Sequence, residues 1–142
     1  MVPNAEKRWK DRVRAREIAE ELENEANLYE RLSDLQGKAI PRLLWYGEAA
    51  SGMAKVLITE YAGEALPEHP TRKQRKEALK MLRSLHKAGV LHGDIEKRNF
   101  VRLGDEVRIL DFGFGDFREE ETCDEQWLEK TNDEVKRLRK VL

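Results

Sequence analysis

Apolar side chains recur at helical spacing in the first stretch of the chain, between Lys7 and Leu35. No glycine or proline interrupts this stretch, and the apolar stripe is clearest in its second half. The stripe consists of Ile18, Leu22, Ala26, Leu28, Tyr29, Leu32 and Leu35. Intervals of three and four residues place side chains on one face of a helix. The pattern predicts one long N-terminal helix, or two abutting helices, ending near Gly37.

Two later stretches also have a helical pattern. Thr71 to Gln74 has the form of a capping box, in which the first and fourth residues exchange side-chain hydrogen bonds with the backbone. Apolar residues then recur on one face until Gly89, which we expect to end this helix. The tail from about Cys123 to Leu142 is helical by composition and predicts a C-terminal helix.

Short β-rich runs lie between these helices. Leu43 to Tyr46 and Lys55 to Tyr61 flank a glycine-containing turn and predict an antiparallel pair. Phe100 to Leu103 and Val107 to Leu110 flank Gly104-Asp105 and predict a hairpin. The resulting fold class is α+β, with a long N-terminal helix, small antiparallel strands, a helix followed by a hairpin, and a C-terminal helix.

Length and charge limit the possible functions. The 142 residues suit one domain, 1–142, and 39% of them are charged. Basic and acidic residues number 27 and 28, a net charge of −1, which argues against a dedicated nucleic-acid binder. A lone cysteine, the absence of an apolar signal-like segment and the shortness of the apolar runs predict a soluble cytoplasmic or nuclear protein without membrane contact.

The predicted hairpin separates two polar segments, residues 92–99 and residues 111–113. Because a tight hairpin brings its two ends together, we expect Asp94, Asn99 and Asp111 to converge. Carboxylate and amide oxygens form a hard site for Mg²⁺, which keeps water and phosphate oxygens as its other ligands. A carboxylate outside the metal shell can orient and deprotonate an attacking hydroxyl. The arrangement therefore favours phosphate chemistry.

The order H-x-D-x-x-x-x-N followed by D-F-G resembles the catalytic half of the protein-kinase fold. The resemblance implies that Asp94 is the catalytic base and that Asn99 and Asp111 are Mg²⁺ ligands. It also extends upstream. Thr59 would be the gatekeeper of the hinge strand, and the backbone from Glu60 through Tyr61 to Ala62 would bind adenine. Glu25 would be the helix-C glutamate, although its reading as one solvated acid among many stays open.

Several positions depart from the protein-kinase pattern. Gly93 replaces the arginine that often precedes the base, as in small atypical kinases of the RIO-like, KEOPS-type and aminoglycoside-phosphotransferase-like families and in many fungal kinase-like proteins. Glu96 stands where a phosphate-facing lysine is common. Lys97 or Arg98 could supply the missing charge. Arg98 is the better candidate, since tyrosine kinases also carry arginine immediately before the asparagine.

Other parts of a kinase domain are absent from the sequence. There is no G-x-G-x-x-G loop, no Val-Ala-Ile-Lys-like strand before Glu25 and no Ala-Pro-Glu after Asp111. Lys7, Lys10 or Arg14 could in principle replace the lost lysine. The chain thus resembles a truncated kinase domain, in which 1–62 form a partial N-lobe with helix C and hinge, and 63–142 form a partial C-lobe.

Two functions follow from this resemblance. The first is an ATP- and Mg²⁺-dependent phosphotransferase that transfers the γ-phosphate to a protein or small-molecule hydroxyl. The intact Asp94, Asn99 and Asp111 favour it. The second is a weak or inactive pseudokinase that serves as a binding module. An open sheet edge would then accept a partner chain that completes the N-lobe.

Overall fold

The computed structural model describes the backbone of residues 5–142 and the side chains of residues 14–142. The helices are α1 (Ala5–Arg31), α2 (Arg72–Lys87) and α3 (Asp124–Val141). Short 3₁₀ turns cover Ser33–Leu35 and Lys97–Asn99. The strands are β1 (Leu43–Ala49), β2 (Ala54–Thr59), β3 (Glu64–Ala65), β4 (Val90–Leu91), β5 (Phe100–Leu103), β6 (Glu106–Ile109) and β7 (Asp116–Phe117). The predicted α+β class is confirmed.

The local signals that predicted α2 are present in the structure. Thr71 Oγ1 accepts a hydrogen bond from the Gln74 N–H at 3.1 Å, and Gln74 Oε1 accepts one from the Thr71 N–H at 2.9 Å. These bonds satisfy amide groups that have no partner within the first turn of a helix. At the other end Gly89 has φ +80°, which a glycine adopts without steric cost.

The strands form three small antiparallel sheets. β1 pairs with β2, and β4 pairs with β7. The third sheet has the order β3-β5-β6, in which Phe100 lies opposite Ile109 at the open end of the β5–β6 hairpin. The predicted strand pair and hairpin are both found. Strands β3, β4 and β7 were not predicted, because two residues are too few to show a period-two pattern.

The core lies where α1, α2, α3 and the hairpin meet. Its fully or almost fully buried side chains include Leu28, Tyr29, Leu32, Leu82, Leu85, Phe100, Ile109, Phe112 and Leu138. Ile18, in the first half of the predicted apolar stripe, is 54% exposed, so α1 packs against the core through its second half. In residues 5–142 no helix combines the length and the apolar character needed to cross a membrane.

Candidate active site

The segment of residues 92–99, called here the catalytic loop, is held from inside by His92. This side chain is completely buried. Its Nδ1 accepts a hydrogen bond from the Asp94 N–H at 3.1 Å, so its Nε2 carries the proton and donates to the Leu110 carbonyl at 2.7 Å. His92 therefore connects the backbone of Asp94 to the residue that precedes Asp111.

Asn99 lies beside Asp94 and is 4% exposed. Its Nδ2 donates to the Asp94 carbonyl at 2.8 Å and to Asp94 Oδ2 at 3.2 Å. Because the amide nitrogen is directed to Asp94, Oδ1 faces away, and it accepts no hydrogen bond among the described side chains. An amide oxygen in this orientation is suited to a cation.

Asp111 is brought to this group by the hairpin. The Leu110 N–H donates to the Asn99 carbonyl at 2.8 Å, one residue beyond the Phe100–Ile109 pair. Asp111 has φ +64°, a left-handed conformation that costs a non-glycine residue of order 1 kcal/mol and recurs at functional sites. Its side chain is exposed, and its Oδ1 has only a long contact, 3.4 Å, with the Gly113 N–H.

The charged residues around Asp94 point in different directions. Arg98 Nη2 forms an ion pair with Asp94 Oδ2 at 2.9 Å. Lys97 Nζ instead donates to the Glu68 carbonyl, and Glu96 pairs with Arg137 of α3 at 2.7 Å. Of the two basic residues considered as replacements for the missing lysine, only Arg98 contacts the Asp94 carboxylate.

Helix α1 contacts the Asp111–Gly115 segment from the other side. Asn24 Nδ2 donates to the carbonyls of Gly113 and Gly115 at 3.2 and 2.9 Å. Glu25 is half-buried, and burial raises its pKa. The nearby Phe112 N–H opposes this rise in pKa, whereas the Asp111 carboxylate adds to it. Glu25 therefore lies near the Asp-Phe-Gly segment. The alternative that Glu25 is one solvated acid among many does not predict this position.

Within residues 14–142, Glu25 has no ion-pair partner. Lys55 of β2 reaches α1 but pairs with Glu23, at 3.9 Å. The side chains of Lys7 and Lys10, suggested above as replacements for a missing lysine, lie outside the described residues. Arg14 is exposed and forms no ion pair among the described side chains.

Phe112 fills the space between α1 and the catalytic loop. It is completely buried and packs edge-on against the rings of Tyr29 and His92, with centroid distances of 5.5 and 5.2 Å. Edge-on aromatic pairs add about 0.5–1.5 kcal/mol to the free energy gained by burial. The three rings thus fix Asp111 through its neighbour in the chain.

The predicted hinge, Thr59 to Ala62, begins at the last residue of β2 and forms no hydrogen bond with the catalytic loop among the described residues. The Glu60 carboxylate accepts from the Arg42 N–H at 3.0 Å and from Arg108 Nη1 at 2.9 Å. The Glu60 carbonyl and the Ala62 N–H make no backbone hydrogen bond among the described residues. The fold therefore uses neither group, although Ala62 itself is buried, at 7% exposure, while Tyr61 is 70% exposed.

Sequence reasoning missed Glu134 and Arg137 of α3, whose side chains form hydrogen bonds with the backbone of the catalytic loop. The Glu134 carboxylate accepts from the backbone N–H groups of His92 and Gly93 at 3.0 and 2.8 Å, and from His86 Nε2 at 2.8 Å. Burial alone would raise the pKa of Glu134, but these hydrogen bonds lower it on balance. Arg137 donates to the Ile95 carbonyl at 3.3 Å. No motif marks these contacts, since they join positions about forty residues apart.

The structure also explains the glycine that replaces arginine at position 93. Gly93 has φ +85°, and a Cβ at this position would overlap the backbone carbonyl of Phe114. The backbone of the catalytic loop therefore packs directly against the segment that follows Asp111. Any side chain at position 93 would separate the two.

Comparisons with known proteins bear on the fold of the chain. No known family's sequence profile matches the chain. A curated protein from Archaeoglobus fulgidus, described as a probable serine/threonine-protein kinase BUD32 homolog, is 29% identical over 62 residues, which are 44% of this chain and 32% of that protein. The solved structure of vaccinia related kinase 3 matches with a TM-score of 0.52 and 20% identity, over 67% of this chain and 37% of that one.

The chain therefore spans about a third of the length of each of these proteins. Over the part that matches, it has a protein-kinase-like fold, as the two motifs predicted.

Proposed function

We propose that this chain, whose fold is protein-kinase-like, carries the nucleotide-binding and phosphotransfer residues of an ATP- and Mg²⁺-dependent phosphotransferase. The acceptor is a hydroxyl of a protein or of a small molecule. In this proposal residues 1–62 form the adenine side, with helix C and the hinge, and residues 63–142 form the side that binds metal and acceptor.

The observation that carries the proposal is the hydrogen-bonded pair of Asp94 and Asn99 beside Asp111. Asn99 uses its nitrogen to orient Asp94 and leaves Oδ1 free. The N–H of Leu110, which precedes Asp111, donates to the Asn99 carbonyl at 2.8 Å, and Asp111 itself is exposed. This oxygen set fits Mg²⁺, which binds one or two protein oxygens and completes its shell with phosphate oxygens and water. When bound, Mg²⁺ would neutralise charge on the nucleotide phosphates.

Asp94 performs the acid–base part of the proposed reaction. Its carboxylate, held by Asn99 and Arg98, accepts the proton of the acceptor hydroxyl as that oxygen bonds to the γ-phosphorus. The bond from the γ-phosphorus to the β,γ-bridging oxygen breaks, and ADP leaves with the electron pair. Arg98 lies close enough to Asp94 to offset negative charge on the transferred group.

The two backbone groups of the hinge that make no backbone hydrogen bond support binding of the base. A carbonyl at Glu60 and an N–H at Ala62 form an acceptor–donor pair that can recognise the edge of adenine, with Thr59 at the end of β2 and Tyr61 beside them. Arg108 fixes this segment through Glu60.

A binding module without turnover is the second candidate, and one observation favours it. Among the described residues Glu25 faces Asp111 and no lysine. In this alternative a partner chain would pair with the edge of β2 that β1 leaves open and would complete the N-lobe.

Thermal unfolding with and without nucleotide tests the binding step. The proposal predicts that Mg-ATP raises the Tm by several degrees and that ATP with EDTA raises it much less. Asp111→Asn should remove the Mg²⁺-dependent part of the shift. Asp105→Asn, an exposed acid at the opposite end of the same hairpin, should retain it. If Mg-ATP does not move the Tm of the unsubstituted chain, the binding-module alternative is favoured instead.

A further inference from the structure

The exposed side of α2 carries a row of basic residues, called here the basic face. It consists of Lys73, Lys76, Lys80, Arg83 and Lys87, all of them exposed. Intervals of three and four residues place them along one side of the helix, over ~21 Å. Among the described residues, one ion pair occurs on this face, between Lys73 and the exposed Asp105 at 3.2 Å.

Helix stability does not account for the basic face. Like charges three or four residues apart destabilise a helix by a few tenths of a kcal/mol per pair. Lys73 lies in the first turn, where the helix dipole disfavours a positive charge, and this turn contains no acid. The helix dipole favours Lys87 in the last turn, and Glu77 lies within four residues of both Lys73 and Lys80. Five basic residues against this single acid of α2 still concentrate positive potential on one side of the protein.

An apolar groove adjoins the basic face. It has a volume of about 240 Å³, and its apolar lining comes from Leu79 of α2 and from Leu138 and Leu142 at the end of the chain. Lys76 lines both this groove and the concave surface along the basic face. Arg139 adds a further positive charge at the edge of the groove. Apolar and cationic surface are therefore continuous.

We infer that this surface binds an acidic amphipathic segment of another protein. Carboxylates of that segment would pair with the basic face, and an apolar side chain would enter the groove between Leu79 and Leu142. None of these residues belongs to the candidate active site, so the inference stands or fails independently of the proposed phosphotransfer.

The chemistry of the surface favours such a segment over nucleic acid. Between Arg72 and Lys87 there is no Phe, Tyr or Trp on which a base could stack. The phosphates of a nucleic-acid backbone have no apolar group to place in the groove, whereas an amphipathic peptide binds by inserting apolar side chains into one. The basic face then provides long-range attraction and orientation.

Fluorescence anisotropy with defined probes tests the inference on the full chain. The probes are a labelled peptide of repeating Glu-Glu-Leu-Leu units, its Gln-Gln-Leu-Leu counterpart and polyuridylate RNA. We expect the acidic peptide to bind about tenfold or more tightly than either of the others, with an affinity that falls as salt rises. Combined Lys76→Glu and Lys80→Glu should weaken this binding at least tenfold.

Matched variants separate a specific surface from general attraction. Lys130→Glu reverses an exposed charge on α3 outside the basic face and should leave the affinity within about twofold. Leu79→Ser should weaken binding of the acidic peptide and leave the affinity for polyuridylate unchanged. Circular dichroism tests whether each variant is folded. If the combined Lys76→Glu and Lys80→Glu variant unfolds, the combined Lys76→Gln and Lys80→Gln variant replaces it. The inference would be overturned if polyuridylate bound as tightly as the acidic peptide or more tightly, or if the acidic peptide did not bind. It would also be overturned if Lys130→Glu lost as much peptide affinity as the combined Lys76→Glu and Lys80→Glu variant. Self-association of the chain that Lys76→Glu abolishes would overturn it as well.

Discussion

The two sides of the candidate site are built differently. On the catalytic-loop side, His92 and Phe112 are completely buried, and α3 holds the backbone through Glu134. On the hinge side, the two-stranded β1–β2 sheet has exposed apolar side chains, and Tyr61 is 70% exposed. Chemistry needs fixed geometry at the reacting atoms, whereas an adenine can bind to a few open backbone groups. The comparison indicates that the core stabilises the side where phosphate would react.

The largest effect should come from Glu134→Gln, which removes a largely buried carboxylate, 12% exposed, that accepts two backbone N–H bonds and one from His86. We expect the free energy of unfolding to fall by about 3–4 kcal/mol, because a partner of a buried charged network is lost. Urea unfolding measures the change. Glu129→Gln, exposed on the same helix, should change it by less than about 0.5 kcal/mol.

The same variant gives a pH signature. The folded-state pKa of Glu134 lies below its ordinary value near 4.5, so its contribution to stability is present above about pH 4.5 and is lost as the pH falls through the folded-state pKa. The difference in unfolding free energy between the unsubstituted chain and Glu134→Gln should therefore shrink on acidification below about pH 4.5. A difference that stays constant down to pH 3 would contradict the assigned hydrogen bonds.

A smaller loss is expected from Gly93→Ala. The new Cβ would overlap the Phe114 carbonyl, and the backbone has φ +85°. We expect a loss of about 2–3 kcal/mol. Gly104→Ala is the control, since Gly104 has φ +61° with no atom near the new Cβ, and it should cost about 1 kcal/mol. Equal losses in the two variants would show that the catalytic loop is not packed as closely as described.

The hinge side should respond least. Arg108→Met removes the bonds to Glu60 and to the Gly37 carbonyl, both 2.9 Å, and we expect a loss of about 1–2 kcal/mol. A double-mutant cycle with Glu60→Gln measures the part that belongs to the pair. Arg102→Met, whose partner Glu64 is exposed and 3.5 Å away, is the control. If Arg108→Met lowered the free energy of unfolding as much as Glu134→Gln does, the two sides of the site would not differ as described.

The elements that could be predicted from sequence have local signals. Three signals of this kind depend only on residues near one another in the sequence: the capping box of α2, the turn at Gly104 and the apolar stripe of α1. Asp94, Asn99 and Asp111 could be placed together because a tight hairpin joins their segments. The two-residue strands carry no detectable period, and so they were missed.

The contacts that hold the site could not be predicted, because they are distant in the sequence. Glu134 is one acid among many in the tail, and its bonds to His92 and Gly93 depend on how α3 packs. The sequence already favoured Arg98 over Lys97, and the structure adds the contacts: Arg98 pairs with Asp94, whereas Lys97 donates to the Glu68 carbonyl. The roles assigned to the site residues remain predictions.

The most direct test of the proposed activity is ADP formation from ATP in the presence of Mg²⁺, with water or the chain itself as acceptor. The account predicts a Mg²⁺-dependent rate that falls at least about 100-fold in both Asp94→Asn and Asp111→Asn and is retained in Asp105→Asn. ADP formation that persists in Asp94→Asn, or no formation above the Asp111→Asn background in the unsubstituted chain, would contradict it.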